Sequence, residues 1–355
     1  MDTRRGPFTE FRCGVSVNQT EPVRWGILGC GWITGEAIAP TLAALPGARM
    51  HSACSRDAER AARFCAPYAA QPYADLQQFL ADPELDAVFI ATPNDRHMAD
   101  VLACAAAGKH VLCDKPLAPN AMDAQRMLMA CRDAGVKLGV GYQMRFNPVH
   151  QEMVRRVATG ELGRIAYAHV QACFRYPFPP SEWRRHLATA GGGWATADLG
   201  THLVDLLLWL LGPVAEVQAQ TDNGAYGYET EDICSAVLHF ACGTLATLTC
   251  ATAVTAPRSE LALYGEQGCV VGENTIGIGT WGRLLAGNAD GLAEQSLDLP
   301  ATSPYHLELA AFSEALRTDA EPPVPGEAGL AAARVIDAMR QSAREGRRLS
   351  LDLTD

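Results

Sequence analysis

From residue 23 to about residue 146, short apolar runs alternate with alanine-rich amphipathic segments. The runs predict strands at Val23–Leu28, Arg49–Cys54, Ala87–Ile90, His110–Cys113 and Lys137–Val140. The segments between them predict helices, including Asp57–Ala66, Met98–Ala107 and Ala121–Ala134. Because parallel strands need long crossover connections, such alternation is typical of an α/β domain whose parallel sheet carries helices on both faces.

After Pro148 the pattern changes. A helix near His150–Thr159 precedes a strand at Ile165–Phe174, and a very apolar helix follows. Longer alternating strands are predicted at Glu216–Thr221, Ile233–Phe240, Thr244–Thr252 and Glu260–Tyr264, and the turn "ACGT" after Phe240 indicates a hairpin. Two helices, Glu308–Leu316 and Ala328–Arg344, close the chain. This half predicts an α+β domain with a large, mainly antiparallel sheet.

The length and composition agree with two domains in a soluble, cytoplasmic protein. We expect residues 1–22 to be a poorly ordered leader, 23–146 to form the first domain and 147–355 the second. The leader lacks the apolar core of a secretory signal, and no apolar run reaches the roughly 18 residues of a membrane span. A net charge of -11 argues against a nucleic-acid partner.

The cysteines and histidines show no metal-binding pattern. The chain has 12 cysteines and 9 histidines, but no CxxC, HxH or HExxH spacing. Cysteines scattered through apolar segments are typical of buried residues in a reducing compartment. We therefore expect neither a metal site nor a disulfide framework.

A glycine-rich turn follows the first predicted strand. In "GILGCGWIT", Gly29 permits a tight turn and Gly31 lets a pyrophosphate approach the backbone. The N–H groups around Trp32 and Ile33 would face that anion at the helix start. Thr34 replaces the third glycine of the Rossmann pattern and should only slightly loosen helix–strand packing. A tight structural turn is the alternative, but the strand–turn–helix context favours a dinucleotide site.

The second strand ends with Ser55 and Arg56. An NAD-preferring site places a carboxylate here for the ribose 2′-hydroxyl, whereas a hydroxyl and a guanidinium suit the 2′-phosphate of NADP. Asp57 occupies a natural helix N-cap position. The sequence therefore predicts NADP as the preferred cofactor, with NAD possible. The alternative is that Arg56 is a surface arginine.

Two later strands end in polar residues, at the edge where open α/β sheets bind ligands. The first set is Thr92, Pro93, Asn94 and His97. The second set is Asp114, Lys115 and Pro116. A lysine fixed there by a following proline is well placed to act on a ligand, although an exposed surface lysine is an equally simple interpretation.

The segment Gly191–Gly212 combines an apolar helix with charged residues. Its leucines form one face, while Asp198, His202, Asp205 and Trp209 follow a second stripe at helical spacing. Burying such groups without partners is costly, so the Asp198/His202 end is expected to line a cleft. The alternative is that Asp198 caps the helix and His202 is a satisfied core histidine; we expect Asp205 to be structural.

Taken in order, "ATPN..H", "DKPLA", "GYQMRFNP" and "GGG…ADLGTH" resemble the glucose–fructose oxidoreductase and inositol dehydrogenase family. The resemblance runs from about Val23 to Leu351 and implies an N-terminal Rossmann domain with a doubly wound parallel sheet. It also implies hydride transfer between a nicotinamide and a secondary alcohol of a sugar, polyol or cyclitol. One departure is Asp114, where the family usually has glutamate.

The resemblance implies the site residues. His202 would take the hydroxyl proton, Lys115 would bind the reacting oxygen, and Asp198 would orient the imidazole. Cofactor contacts are expected from the glycine turn, from Ser55 and Arg56, from both strand ends and from three further residues. The three are Gln143, Trp183 and Arg184. Substrate contacts are assigned to Arg145, Tyr176 and Tyr305, in segments that could border the cleft.

Two other functions compete with an NADP-preferring dehydrogenase. An enzyme could keep NAD tightly bound and use transient oxidation for hydrolysis or elimination, or a regulator could bind the nucleotide without turnover. Retention of Lys115, Asp198 and His202 argues against the regulator. The alternating open face of the second sheet predicts a homodimer or homotetramer.

Overall fold

A computed structural model describes residues 21–179, 182–277 and 281–352. The predicted leader therefore lies outside the described residues, apart from its last two positions. In the described part, no helix is both long and apolar enough to cross a bilayer. Within the same ranges, no group of three or more His, Cys, Asp or Glu side chains is arranged to hold a metal ion.

Fifteen strands and ten α-helices are found in these ranges. The strands are β1 Val23–Leu28, β2 Ala48–Cys54, β3 Gln71–Tyr73, β4 Ala87–Ile90, β5 His110–Asp114, β6 Leu138–Gly141, β7 Ile165–Arg175, β8 Val214–Asp222, β9 Ile233–Phe240, β10 Leu245–Ala251, β11 Ala253–Gly265, β12 Cys269–Glu273, β13 Arg283–Asn288, β14 Gly291–Gln295 and β15 Leu349–Ser350. The helices are α1 Ala39–Ala44, α2 Ala58–Cys65, α3 Leu76–Leu80, α4 His97–Ala106, α5 Ala121–Asp133, α6 Pro148–Ala158, α7 Leu187–Ala190, α8 Thr201–Leu211, α9 Pro304–Arg317 and α10 Gly326–Glu345.

Six parallel strands form the first sheet, in the order β3-β2-β1-β4-β5-β6. This is the strand order of a dinucleotide-binding Rossmann fold, so the predicted doubly wound sheet is confirmed. The central strands β1, β4 and β5 are nearly all buried, since helices cover both faces. All the strand ends that the sequence singled out therefore meet at one edge.

Nine strands form the second sheet, in the order β14-β13-β12-β11-β7-β10-β9-β8-β15. Every pair is antiparallel except β7 with β10, which agrees with the predicted mainly antiparallel sheet. The predicted hairpin after Phe240 joins β9 to β10, with Gly243 at φ +88°. The outer face exposes Ile233, Val237, Leu245 and Tyr264, the surface on which the predicted self-association depends.

Helix α8 lies on the inner face of the second sheet. A Cβ added at Gly200 would lie 3.3 Å from the Cys250 sulfur, which shows how closely this helix start meets β10. The C-terminal helices return to the first sheet: Trp25 packs on Phe312, and its indole N–H donates to Ser313 at 3.1 Å. Assignment of all residues from 147 to 355 to the second domain stays a prediction.

Candidate active site

The glycine turn after β1 has the geometry of an anion-binding loop. Gly29 has φ +108°, and a Cβ there would lie 2.6 Å from the carbonyl oxygen of Ala91. A Cβ at Gly31 would meet no protein atom within 4 Å, so that side of the turn is open to a ligand. Trp32 and Ile33 lie in the first helical turn, where N–H groups have no intrahelical acceptor. The turn therefore fits a pyrophosphate.

The effect of Thr34 on the glycine turn differs from the predicted one. Its side chain is fully buried, and its hydroxyl donates to the carbonyl of Gly29 at 2.8 Å while accepting from the amide of Gly31 at 2.9 Å. The threonine therefore braces the turn instead of loosening its packing. A hydrogen-bonding hydroxyl replaces the close backbone contact that a third glycine would allow.

The end of β2 presents an unpaired guanidinium. Asp57 accepts a hydrogen bond from the amide of Arg60 at 3.0 Å, which confirms its prediction as the N-cap of α2. The Ser55 hydroxyl is 3.3 Å from the amide of Asp57. Arg56 is exposed and has no ion pair or hydrogen bond among the residues that the structure describes. A phosphate at this strand end could therefore bind Arg56 without breaking an existing contact.

Lys115 and Asp198 meet between the two sheets. Lys115 follows β5 and precedes a cis peptide bond to Pro116, whereas Asp198 lies in a π-helix at Ala195–Gly200. The ammonium donates to the Asp198 carboxylate, and both side chains are mostly buried. The structure thus brings together two of the three predicted catalytic residues, which are 83 positions apart.

A second cation faces the same carboxylate. Arg184 Nε lies 3.8 Å from Asp198 Oδ2, while its guanidinium stacks on Trp183 at 4.2 Å and pairs with Glu182 at 2.6 Å. Burial opposes ionisation of Asp198, but the positive charges of Lys115 and Arg184 outweigh it and lower its pKa. Asp198 is therefore an anion held between two cations.

The structure corrects the predicted role of Asp198 as the group that orients His202. Its carboxylate pairs with Lys115, and the described residues show no hydrogen bond between Asp198 and the imidazole. The prediction assumed a continuous α-helix, in which residues four apart lie on one face. Residues 195–200 form a π-helix instead, a distortion frequent at functional sites, so that spacing does not apply.

His202 lies in the first turn of α8 and is buried. Its Nδ1 has no hydrogen-bond partner among the described residues, and its ring packs edge-on against Tyr142 at 6.1 Å. Burial and the nearby Lys115 ammonium lower the pKa of His202 to about 3, although Asp198 opposes this. At neutral pH the ring is neutral, and an unprotonated nitrogen can accept a proton.

The end of β4 is more enclosed than predicted. His97 is buried, with Nδ1 2.8 Å from the carbonyl of Pro116 and Nε2 2.9 Å from that of Thr92. Asn94 is also buried, and its amide donates to the carbonyl of Ala190 at 3.0 Å. These side chains tie together the loops around the site, so the structure does not support His97 as a cofactor ligand. Thr92 and Pro93 remain partly exposed at the strand end.

Three further predicted contacts have internal partners. The Gln143 amide donates to the Tyr305 hydroxyl at 2.9 Å, and both side chains are buried. Arg145 pairs with Asp205, with its closest oxygen 2.6 Å away, and stacks over Trp209. The structure therefore makes Gln143, Arg145 and Tyr305 parts of the framework. Burial raises the pKa of Asp205 to about 6 although Arg145 opposes this.

An aromatic cluster near the cleft was missed by the sequence reasoning. The ring centroids of Phe178 and the buried Trp194 lie 4.4 Å apart. Trp194 also packs against Tyr228, whose ring stacks on that of Tyr226. The exposed Tyr176 packs edge-on against Phe178 at 5.1 Å. Tyr176, predicted as a substrate contact, is therefore accessible to a ligand. These aromatics come from separated segments, and no short motif connects them.

Gly193, in the glycine run before the π-helix, permits a close polar contact. A Cβ at this position would lie 2.6 Å from the Glu231 carboxylate, which accepts from the amide of Thr196 at 2.8 Å and from its hydroxyl. This carboxylate thus fixes the start of the π-helix that carries Asp198. A larger residue at Gly193 would push the Glu231 carboxylate away from Thr196.

Glu308 on α9 is a buried acid that the sequence analysis did not predict. Both carboxyl oxygens lack a hydrogen-bond partner among the described residues. Burial, reinforced by the charges of Asp114 and Asp205, raises its pKa well above the ordinary value of 4.5. The folded protein therefore favours the protonated form of this group more than the unfolded chain does.

We predict that Glu308→Gln stabilises the protein at pH 8 but much less at pH 4.5. The wild-type unfolded state loses the proton near pH 4.5 and the folded state loses it only at a higher pH, so wild-type stability falls as pH rises from 4.5 toward the folded-state pKa. Each pKa unit corresponds to about 1.4 kcal/mol, and glutamine removes this pH dependence. Urea unfolding at both pH values measures it. The exposed Glu314→Gln on the same helix is the control, and an equal gain there would contradict the assignment.

Comparison with known proteins identifies the relatives of this chain. Residues 23–142 match the model of an oxidoreductase family with an NAD-binding Rossmann fold, GFO/IDH/MocA, and residues 150–271 match its C-terminal domain. A 1,5-anhydro-D-fructose reductase from Ensifer adhaerens is 32% identical over 310 residues, covering 86% of this chain and 92% of that protein.

Other relatives match this chain along nearly its whole length. D-xylose 1-dehydrogenase (NADP(+)) 2 from Haloferax volcanii is 30% identical over 336 residues, covering 92% of this chain and 99% of that protein. The crystal structure of aldose-aldose oxidoreductase from Caulobacter crescentus superposes with a TM-score of 0.87 at 29% identity, covering 93% of this chain and all of that one. The chain thus shares both domains with enzymes that carry out redox chemistry on sugars.

Proposed function

Since the chain belongs to the GFO/IDH/MocA oxidoreductase family and has its NAD(P)-binding Rossmann fold, we propose that it transfers a hydride between NADP(H) and a secondary alcohol of a sugar, polyol or cyclitol. One observation carries this proposal. Lys115 and Asp198 pair at the edge of the first sheet where open α/β sheets bind ligands, and the buried His202 lies near enough for both charges to act on its pKa. A nucleotide-binding regulator has no need of these three groups.

The residues divide the chemistry of alcohol oxidation between them. The unprotonated nitrogen of His202 takes the hydroxyl proton as the C–H electron pair leaves the same carbon. Lys115 donates a hydrogen bond to the reacting oxygen and stabilises its negative charge. Asp198 holds the ammonium in place, and Arg184 faces the other oxygen of that carboxylate. When bound, the nicotinamide supplies the hydride acceptor.

A substrate screen tests this function. Aldoses, polyols and cyclitols are incubated with NAD⁺ and with NADP⁺, and the absorbance of reduced nicotinamide is followed. We expect turnover with a neutral polyhydroxylated compound, faster with NADP⁺. Cofactor binding without turnover on any compound would contradict the dehydrogenase and favour the regulator. Nicotinamide retained through purification, with product formed but no net reduction, would favour transient oxidation.

The preference for NADP(H) rests on Arg56. A charge-assisted guanidinium–phosphate contact contributes roughly 1.5–3 kcal/mol, so Arg56→Ala is expected to raise the dissociation constant of NADP⁺ at least about tenfold. The constant for NAD⁺, which has no 2′-phosphate, should change less than about threefold. Isothermal titration of both nucleotides measures this.

Arg63→Ala is the matched control for Arg56→Ala. Arg63 is an exposed arginine on α2 that pairs with Glu59 rather than ending a strand. Its loss should leave both dissociation constants unchanged. Equal losses of NAD⁺ and NADP⁺ affinity in Arg56→Ala, or a wild-type preference for NAD⁺, would mean that Arg56 is only a surface arginine.

A further inference from the structure

Helix α6, which packs against the helix of the proposed base, contains a second buried histidine. His150 Nδ1 lies 2.8 Å from the backbone carbonyl of Met144. A carbonyl oxygen only accepts, so Nδ1 carries the proton in this contact. Burial lowers the pKa of His150 to about 4, although that hydrogen bond opposes it, and the ring is neutral at pH 7. Its Nε2 is therefore an unprotonated acceptor.

This acceptor is buried and has no partner among the residues described. The same holds for Nδ1 of His202, and both side chains are more than nine-tenths buried. Helix α6, which carries His150, packs against helix α8, which carries His202. Two unpaired buried nitrogens thus lie in one region, one of them a fixed acceptor.

We propose that His150 is a positioning residue, whose Nε2 accepts a hydrogen bond from Nδ1–H of His202 across one water molecule. A neutral imidazole carries one proton, so a proton on Nδ1 leaves Nε2 of His202 free to act as the base. This inference rests on the proposed function. It gives His150 the task that the sequence assigned to Asp198, whose carboxylate is paired with Lys115.

The proton balance is simple. Nε2 of His202 takes one proton from the substrate hydroxyl, and the ring becomes an imidazolium with Nδ1–H still facing His150. The lone pair on His150 stabilises that charge, and its own Nδ1–H remains on the Met144 carbonyl. No proton leaves His150 and no further reactant is needed.

Two substitutions at His150 distinguish the effect of losing the acceptor nitrogen from the effect of losing the volume of the ring. His150→Leu removes the acceptor and is expected to lower kcat roughly 10- to 100-fold, the usual effect of losing an outer partner of a functional histidine, with KM and NADP⁺ affinity nearly unchanged. His150→Gln keeps an acceptor oxygen and should recover most of that rate. The control is His110→Leu, a buried histidine whose Nδ1 accepts from the Lys137 amide away from the site.

A tautomer measurement makes the result independent of folding and of turnover. In the NADP⁺ complex labelled with ¹⁵N-histidine, the signal absent from His202→Asn identifies His202. We expect Nδ1 protonated and Nε2 unprotonated in the wild type, and a mixture of tautomers in His150→Leu. A wild-type His202 protonated on Nε2, or a folded His150→Leu with kcat within about twofold of wild type, would overturn the inference. An unaffected kcat in His202→Asn would instead contradict the proposed function.

Discussion

Replacing His202 with asparagine is expected to lower kcat by roughly 10²–10⁴-fold, the usual contribution of a positioned base. The imidazole is neutral at pH 7, because burial and the nearby Lys115 lower its pKa to about 3. Asparagine fills similar space but cannot accept the hydroxyl proton. NADP⁺ binding should change little, since the glycine turn and Arg56 follow β1 and β2 whereas His202 lies on α8.

Steady-state kinetics on the substrate found by screening, with titration of NADP⁺, measures both effects of His202→Asn. The control is His169→Asn, a partly buried histidine on β7 that contacts Thr247 at 2.9 Å on the second sheet. That variant should keep kcat near the wild-type value. A His202→Asn enzyme that turned over within a few-fold of wild type would show that another group takes the proton.

The first sheet was predictable because its signal is local. Buried parallel strands are almost continuous apolar runs, so β1, β4 and β5 stand out from the helices between them. The strand β3 was missed, since Gln71–Tyr73 has only three residues, contains a proline and is mostly exposed. In the second sheet, β14 was missed for a related reason: all but one of its residues are exposed, and it shows no alternation.

The candidate site was predictable only in part. Lys115 and His202 follow from motif order and from the edge of a parallel sheet. The partner of Asp198 does not, because the π-helix appears only when Gly193, Thr196 and Glu231 come together. Helical spacing therefore predicted that Asp198 lies near the site, but it predicted His202 as the hydrogen-bond partner instead of Lys115.

Two residues predicted as substrate contacts have partners that are distant in the sequence. Arg145 looked available because its partner, Asp205, is 60 residues away in the sequence. A signal did exist: a carboxylate in a helix as apolar as α8 needs a cation, and Arg145 follows a neighbouring strand of the first sheet. Gln143 likewise donates a hydrogen bond to Tyr305, which lies 162 residues away in the sequence. Polar residues near a motif are framework as often as ligands, and only the fold distinguishes them.

Lys115→Met is expected to lower kcat/KM for alcohol oxidation at least roughly 100-fold, or about 2.7 kcal/mol, comparable to the loss of one oxyanion-hole donor. Lys115 carries the ammonium that we propose binds the reacting oxygen, and it is fixed by Asp198 on one side and by the chain after β5 on the other. Methionine keeps the length of the side chain but neither the charge nor the donors. The variant should still bind NADP⁺, and its defect should appear in the chemical step.

Lys137→Met is the matched control, because Lys137 is also mostly buried but pairs with Asp319 at the opposite edge of the first sheet. Loss of Lys115 leaves the Asp198 carboxylate with only Arg184, 3.8 Å away, so a general electrostatic defect must be separated from loss of the donor. Asp198→Asn in the Lys115→Met background removes that unpaired charge. If activity returned, Lys115 would serve mainly to neutralise Asp198. If it stayed low while Lys137→Met matched wild type, the ammonium acts on the reacting oxygen.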